Sequence, residues 1–207
     1  GDADDRSTTR DVLRLIRDLE REGLDGLIVD LRGNGGGALA EATALTGLFI
    51  NSGPVVQVRD ARGRTSVSRD PSRGVAYAGP LAVIVDRNSA SASEIFSGAI
   101  QDYRRGITIG EPTYGKGTVQ NLINLDPYSE DQEQPLGQLK LTIAQFFRIN
   151  GESTQHRGVV PDFVLPGVEP DLPYGEKALD NALPFAQIDA AAFSRFTDSE
   201  PDLKRLR

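Results

Sequence analysis

Apolar positions recur at helical spacing early in the chain, at Val12, Leu15, Ile16 and Leu19. Ser7, Thr8 and Thr9 offer N-caps and Gly23 offers a stop, so the pattern predicts a helix between them. Leu27-Ile28-Val29 is a short apolar run of the buried-strand type, followed by the glycine-rich turn Gly33 to Gly37 and a second amphipathic helix from about Leu39 to Phe49. Pro54 to Val67 reads as a hairpin around Ala61-Arg62-Gly63-Arg64. Leu81 to Val85 predicts a buried strand, Ala90 to Tyr103 a helix, and Ile107 to Ile109 another strand. Thr118 to Leu125 and Gln138 to Ile149 have strand character, Asn150-Gly151 marks a turn, and Glu176 to Leu183 predicts a short closing helix. Tyr128 to Pro135 is polar and acidic and predicts an exposed loop. Helices alternating with buried strands predict an α/β fold, a mixed sheet flanked by helices, with a β-rich excursion in the second half.

Composition narrows this picture. A chain of 207 residues fits one domain, residues 1–207. The net charge of -7 argues against nucleic acid as the main partner. Acidic residues gather near both ends, at Asp2, Asp4, Asp5, Glu169, Asp171 and Glu176, and are expected on solvated faces. There is no Met, so the chain is expected to be a piece of a longer protein. The absence of Cys excludes disulfides, zinc-thiolate sites and a cysteine nucleophile, and no metal or cofactor is implied.

With a single histidine in the chain, His156, a serine nucleophile would need another base. His156 stands beside Arg157 without a nearby carboxylate and is expected to be a surface or structural residue. Ser91 falls at the start of the Ala90–Tyr103 helix, directly after a strand, where unpaired N–H groups and the helix dipole favour developing negative charge. Ala92 N–H would be one oxyanion donor, and Gly33 in the glycine turn a second. The competing reading makes Ser89, Ser91 and Ser93 ordinary caps and small packing residues. Lys116 is bracketed by Gly115 and Gly117, which let backbone pack closely and could turn the amine inward, where burial lowers its pKa. The competing reading is a lysine on an exposed loop. In an extended segment residues 116, 118 and 120 share a face, which brings Gln120 into reach of the amine as its orienting group. Asp102 lies eleven residues beyond Ser91, about 16 Å along an intact helix, and is expected to be structural, in a salt bridge near the helix end.

Two nucleotide motifs fail. Gly110 to Lys116 matches the first seven positions of a P-loop, but Gly117 stands where Ser or Thr must hold magnesium, Pro112 removes an N–H, and the segment beyond looks extended. Gly33 to Gly37 does not have the dinucleotide-binding spacing.

Five motifs in order, Asp30-Leu-Arg-Gly-Asn-Gly-Gly-Gly37, Ser89-Ala-Ser-Ala-Ser-Glu-Ile-Phe96, Gln101-Asp-Tyr103, Gly110 to Gln120 and Ser153-Thr-Gln155 with Gly158 to Asp162, resemble the C-terminal processing peptidases, also called tail-specific proteases. The likeness runs from about Thr8 to Pro166 and is nearest the periplasmic branch of Gram-negative bacteria. It implies a ClpP/crotonase-like core and a serine endopeptidase acting on proteins with apolar, unstructured C-terminal tails. It casts Ser91 as nucleophile, Lys116 as general base and Gln120 as its orienting residue. Gly33 and Ala92 become the oxyanion donors, and Asp102 a supporting aspartate. It also implies a periplasmic setting and a PDZ domain, for which this chain has no room. A catalytically inactive or truncated peptide-binding module, gripping extended peptides by strand addition, is the alternative.

Overall fold

The computed structural model describes residues 6–129, 135–167 and 173–196. Asp2, Asp4, Asp5, Glu169, Asp171 and most of the acidic loop from Tyr128 to Pro135 lie outside the described residues.

Helix α1 (Thr8–Glu22) starts where Ser7 Oγ accepts from Arg10 N–H and ends at Gly23, in left-handed conformation with φ 90°. Strand β1 (Leu27–Asp30) leads through the glycine turn into α2 (Leu39–Gly47). The antiparallel hairpin of β2 (Gly53–Asp60) and β3 (Thr65–Asp70) follows. Strand β4 (Leu81–Val85), helix α3 (Ala92–Asp102) and β5 (Ile107–Gly110) form the next unit. The chain then enters a second antiparallel pair, β6 (Thr118–Asn124) and β7 (Gln138–Phe147), before the two-residue β8 (Phe163–Val164).

The strands sort into two sheets. One is parallel, in the order β1-β4-β5-β8; the other is antiparallel, in the order β3-β2-β7-β6. Helix α3 lies between them, and its residues from Ser93 to Ile100 are all buried. Phe96 and Ile100 join Ile16, Phe49, Val83 and Val85 in a core against the parallel sheet. Ile95, Ala99 and Tyr103 join Val55, Val56, Phe146 and Ile149 in a core against the antiparallel one. A helix buried on every side is the expected product of packing between two layers, and its polar residues Ser93, Glu94 and Ser97 are buried with the rest. Phe49 and Phe96 meet edge to face at 5.8 Å.

Polar groups tie the layers where apolar packing ends. Arg105, 5% exposed, gives its guanidinium to the carbonyls of Phe49, Tyr77 and Gly79. Asp102, at the end of α3, forms a bidentate pair with Arg148 after β7. Their side chains are 6% and 12% exposed, so the pair anchors the helix to the antiparallel sheet out of water.

Two expectations are corrected. The closing helix over residues 176–183 is a single 3-10 turn, Glu176–Ala178: Ala178 and Leu179 donate only three residues back, to Gly175 O and Glu176 O, and the backbone turns extended at Leu179, with φ -85° and ψ 132°. Glu176 itself is buried, not solvated, and accepts from Gln155 Nε2 at 3.3 Å.

Removing one member of a buried ion pair strands the other charge. Asp102→Ala should therefore lower unfolding stability by about 3–5 kcal/mol. Urea unfolding measures this; an unchanged midpoint would refute the anchoring role.

Candidate active site

Strands β1, β4 and β5 run parallel, so the loops leaving their C-terminal ends meet at one edge of the sheet. After β1 comes the glycine turn, after β4 the segment Asp86 to Ser91, and after β5 the segment Glu111 to Gly117. These three loops carry Gly33, Ser91 and Lys116.

Ser91 occupies the position preceding the first turn of α3, with φ 56° and ψ -112°. A non-glycine residue pays about 1–3 kcal/mol to sit in such sparsely populated backbone space and needs surroundings that hold it there. Those surroundings are on both sides. Gly36 backs directly onto the turn: a Cβ there would fall 2.6 Å from Ala90 O, 2.6 Å from Ala92 N and 2.9 Å from Ser91 Cβ. The flanking serines bind the glycine turn to the serine turn. Ser89 Oγ donates to Leu31 O at 2.8 Å, and Ser93 Oγ reaches Asn34 O at 3.0 Å and Asn34 Oδ1 at 2.9 Å. Thus Ser89 and Ser93 pack the two turns together and Ser91 caps α3, as the plainer reading held, but Ser91 does so with strained backbone. Ala92 is the first helical residue, and its N–H has no intrahelical acceptor.

Gly33 does not fill the place expected of it. Its N–H donates to Asp86 Oδ1 at 3.0 Å, and the glycine that touches the serine turn is Gly36. Asp86 Oδ1 also accepts from Asn88 N and Ser89 N, each at 3.0 Å. This carboxylate holds the two loops in register, and the hydrogen bonds keep its pKa below the ordinary range against the cost of burial.

The strongest polar node is Glu94, fully buried on the first turn of α3. Its Oε2 accepts from Ser91 N–H at 2.7 Å and Lys116 N–H at 3.0 Å. Its Oε1 accepts from Thr113 Oγ1 at 2.6 Å and Gly115 N–H at 2.8 Å. One carboxyl therefore fixes the backbone of Ser91 against the backbone of Lys116. Burial pushes its pKa up to about 7 in spite of the four donors.

Lys116 is half-buried, and burial lowers its amine below the ordinary lysine value, opposed by the charges of Glu176 and Glu94. The bracketing glycines act as expected. Gly117 packs where a Cβ would lie 2.6 Å from Ser153 Oγ and 2.8 Å from Gln155 N, and its N–H donates to Gln155 Oε1 at 2.7 Å. Lys116 Nζ donates to the Thr118 carbonyl at 3.1 Å; Ser91 Oγ is not its partner here. Gln120 lies on β6, whose ladder shifts register after Val119. The extra residue, Ile143, is on β7, so β6 keeps its alternation and Thr118 and Gln120 share a face. The His156 backbone, with φ 67°, gives its N–H to the Gly115 carbonyl at 2.8 Å behind the lysine loop. Asp102 is committed to Arg148 at the far end of α3 and takes no part in the cluster.

Sequence reasoning missed Glu94, Asp86, Asn34 and Gly36. The spacing Ser91-x-x-Glu94 is that of a capping box and was the one available signal for Glu94.

A strained serine after a parallel strand, seated on a glycine turn and joined through Glu94 to the backbone of a half-buried lysine, presents the residue types on which serine-type peptidases rely. The chain belongs to Peptidase family S41, whose model matches residues 3–165. It is 51% identical over 185 residues to the tail-specific protease of Haemophilus influenzae, covering 89% of this chain and 27% of that protein. It is 36% identical over 181 residues to the carboxy-terminal-processing protease of Bartonella bacilliformis, covering 85% of this chain and 39% of that protein. Among solved structures it resembles a photosystem II D1 C-terminal processing protease, with TM-score 0.66 and 30% identity, over 76% of this chain and 39% of that one. The chain thus spans well under half the length of these relatives.

Glu94→Gln replaces two acceptor oxygens by one and sets an amide donor against backbone N–H groups, so it should destabilise by about 2–3 kcal/mol. The pH dependence has a defined sign. The folded carboxyl holds its proton up to about 7, the unfolded one only to its ordinary 4.5, so the fold loses stability as pH rises between these values. The wild-type advantage over Glu94→Gln should narrow across that window in urea midpoints; a gap constant with pH would contradict the assignment.

Proposed function

We propose that this chain is the catalytic core of an endopeptidase working through Ser91 and Lys116. The observation that carries the reading is the Glu94 clamp, which holds the strained serine and the half-buried lysine loop on one carboxyl. Lys116, neutral, takes the proton of Ser91 Oγ as that oxygen attacks the scissile carbonyl. The Ala92 N–H and an N–H of the glycine turn hold the oxyanion. Lys116 then returns the proton to the leaving amine, and water hydrolyses the acyl-enzyme by the same route in reverse. For this the ammonium must leave the Thr118 carbonyl, and Gln120, on the face of Thr118, is the group that receives and orients it. The substrates are proteins with apolar, unstructured C-terminal tails, presented in the longer protein by a PDZ domain in the periplasm. Similarity to the Haemophilus influenzae tail-specific protease supports this part of the reading.

One observation favours a second reading. The Lys116 amine is bonded to Thr118, which suits a module that binds extended peptides without cleaving them. Binding of peptide without any hydrolysis would select it.

Ser91→Ala should abolish peptide hydrolysis while leaving the circular dichroism and urea midpoint of the wild type; proteolysis persisting in that variant would sink the mechanism. Because the base acts deprotonated and burial has lowered its pKa from 10.5, kcat/KM should rise with pH along a limb centred below that value. Lys116→Arg, charged throughout, should show neither limb nor turnover.

A further inference from the structure

Strand β6 is an edge: it pairs with β7 on one side, and no described strand pairs with its other side. Which backbone groups face that open side follows from the ladder. Gly117 O accepts from Phe146 N–H at 2.9 Å, and Thr118 is opposite Gln145. Gly117 therefore points its carbonyl at β7, and by alternation Thr118 points its N–H and C=O away from β7. Since β6 carries no bulge of its own, Gln120 and Leu122 present their backbone groups outward as well. The Thr118 carbonyl is the oxygen that holds Lys116 Nζ at 3.1 Å. The amine thus sits on the open edge of β6, at its inner end. Thr118 is buried whereas Leu122 is 64% exposed, so the edge opens from the site toward solvent.

The chemistry of this edge is unusual for a strand left unpaired. Natural edges are protected by charge, proline or bulges. Residues 118–124 contain no charged residue and no proline. Beside them β7 exposes Leu139, Leu141 and Ile143, with Ile123 opposite Leu139 on the same face and Lys140 as the only charge in either strand. Such a ribbon fits an extended, uncharged, apolar polypeptide.

We propose that the open edge of β6 is the docking rail for substrate, which pairs with it as a further strand of the antiparallel sheet and is thereby led to Lys116 and Ser91. This rests on the reading of the site given above and names how the polypeptide reaches it. A peptide N–H arriving opposite Thr118 competes with Nζ for the same carbonyl oxygen, so docking frees the amine for Ser91. Leu122 supplies another outward N–H and C=O to the docked strand. Selectivity for apolar tails then arises partly on this ribbon.

The test uses the Ser91→Ala chain and a fluorescent, uncharged ten-residue apolar peptide, with binding read by polarisation. Methylating alternate backbone nitrogens of the peptide keeps every side chain and removes the N–H groups of one edge. Of the two alternating sets, one should weaken binding at least tenfold and the other much less. Leu122→Pro, which deletes an outward N–H and no ladder bond to β7, should weaken the unmodified peptide similarly. Equal binding of all three peptides, or no binding by the unmodified one, overturns the proposal. So does a dimer in sedimentation velocity that Leu122→Pro dissociates while peptide binding stays intact, since the edge then serves a second copy. Labelling of wild-type Ser91 by a small fluorophosphonate reports on the chemistry independently. An inert serine with edge-dependent binding refutes the proposed mechanism and leaves the rail, whereas a labelled serine with methylation-insensitive binding refutes the rail alone.

Discussion

The site depends on one buried carboxyl. Glu94 has no contact with water, and desolvating a carboxylate is costly unless donors converge on it. Four do, and they come from three places: the serine turn, Thr113, and the backbone on and before Lys116. Because each donor would otherwise be an unsatisfied buried group, displacing one loop leaves the carboxyl short of partners and the other loop short of an acceptor. The two halves of the site are therefore held in fixed relation without a direct bond between the reacting side chains.

A second set of bonds fixes the third loop. Asp86, Ser89 and Ser93 attach the glycine turn to the serine turn at both of its ends. Between those attachments Gly36 approaches so closely that no side chain would fit. The unfavourable backbone of Ser91 is sustained by this double anchorage. The lysine is held differently. Its backbone is clamped while its amine is tethered to the edge of β6, so the mobile part of the machinery is the end of one side chain.

Much of this was legible in the sequence, for identifiable reasons. Apolar periodicity located the helices, and short apolar runs and turn signals located the strands through β7. Gly115 and Gly117 announced close packing around Lys116, and the eleven-residue spacing excluded contact between Ser91 and Asp102. What could not be read was partnership at a distance. No local pattern says that β2 and β3 share a sheet with β6 and β7 rather than with β1 and β4. Gly33 and Gly36 look alike in a run of glycines, and only the approach of the serine turn tells them apart. Glu94 reads locally as a helix cap; its partners at Thr113, Gly115 and Lys116 are 19 to 22 residues away. The expected helix near Glu176 failed because the chain turns extended at Leu179 after a single 3-10 turn, which its composition does not announce.

The separations in sequence also bear on how the site is assembled. The serine and lysine loops are joined through contacts spanning 19 to 22 residues, all within a single strand-helix-strand crossover. The glycine turn reaches the serine turn across 53 to 59 residues. Closing a short loop costs less chain entropy than closing a long one, and the interior of the short loop is largely the rigid helix α3. The serine turn and the lysine loop thus belong to one local unit, while the glycine turn joins from a distant part of the chain. In folding terms the serine–lysine half of the cluster is local and its glycine turn is not, so the whole cluster assembles only when the earlier strand and its turn have docked on the later crossover.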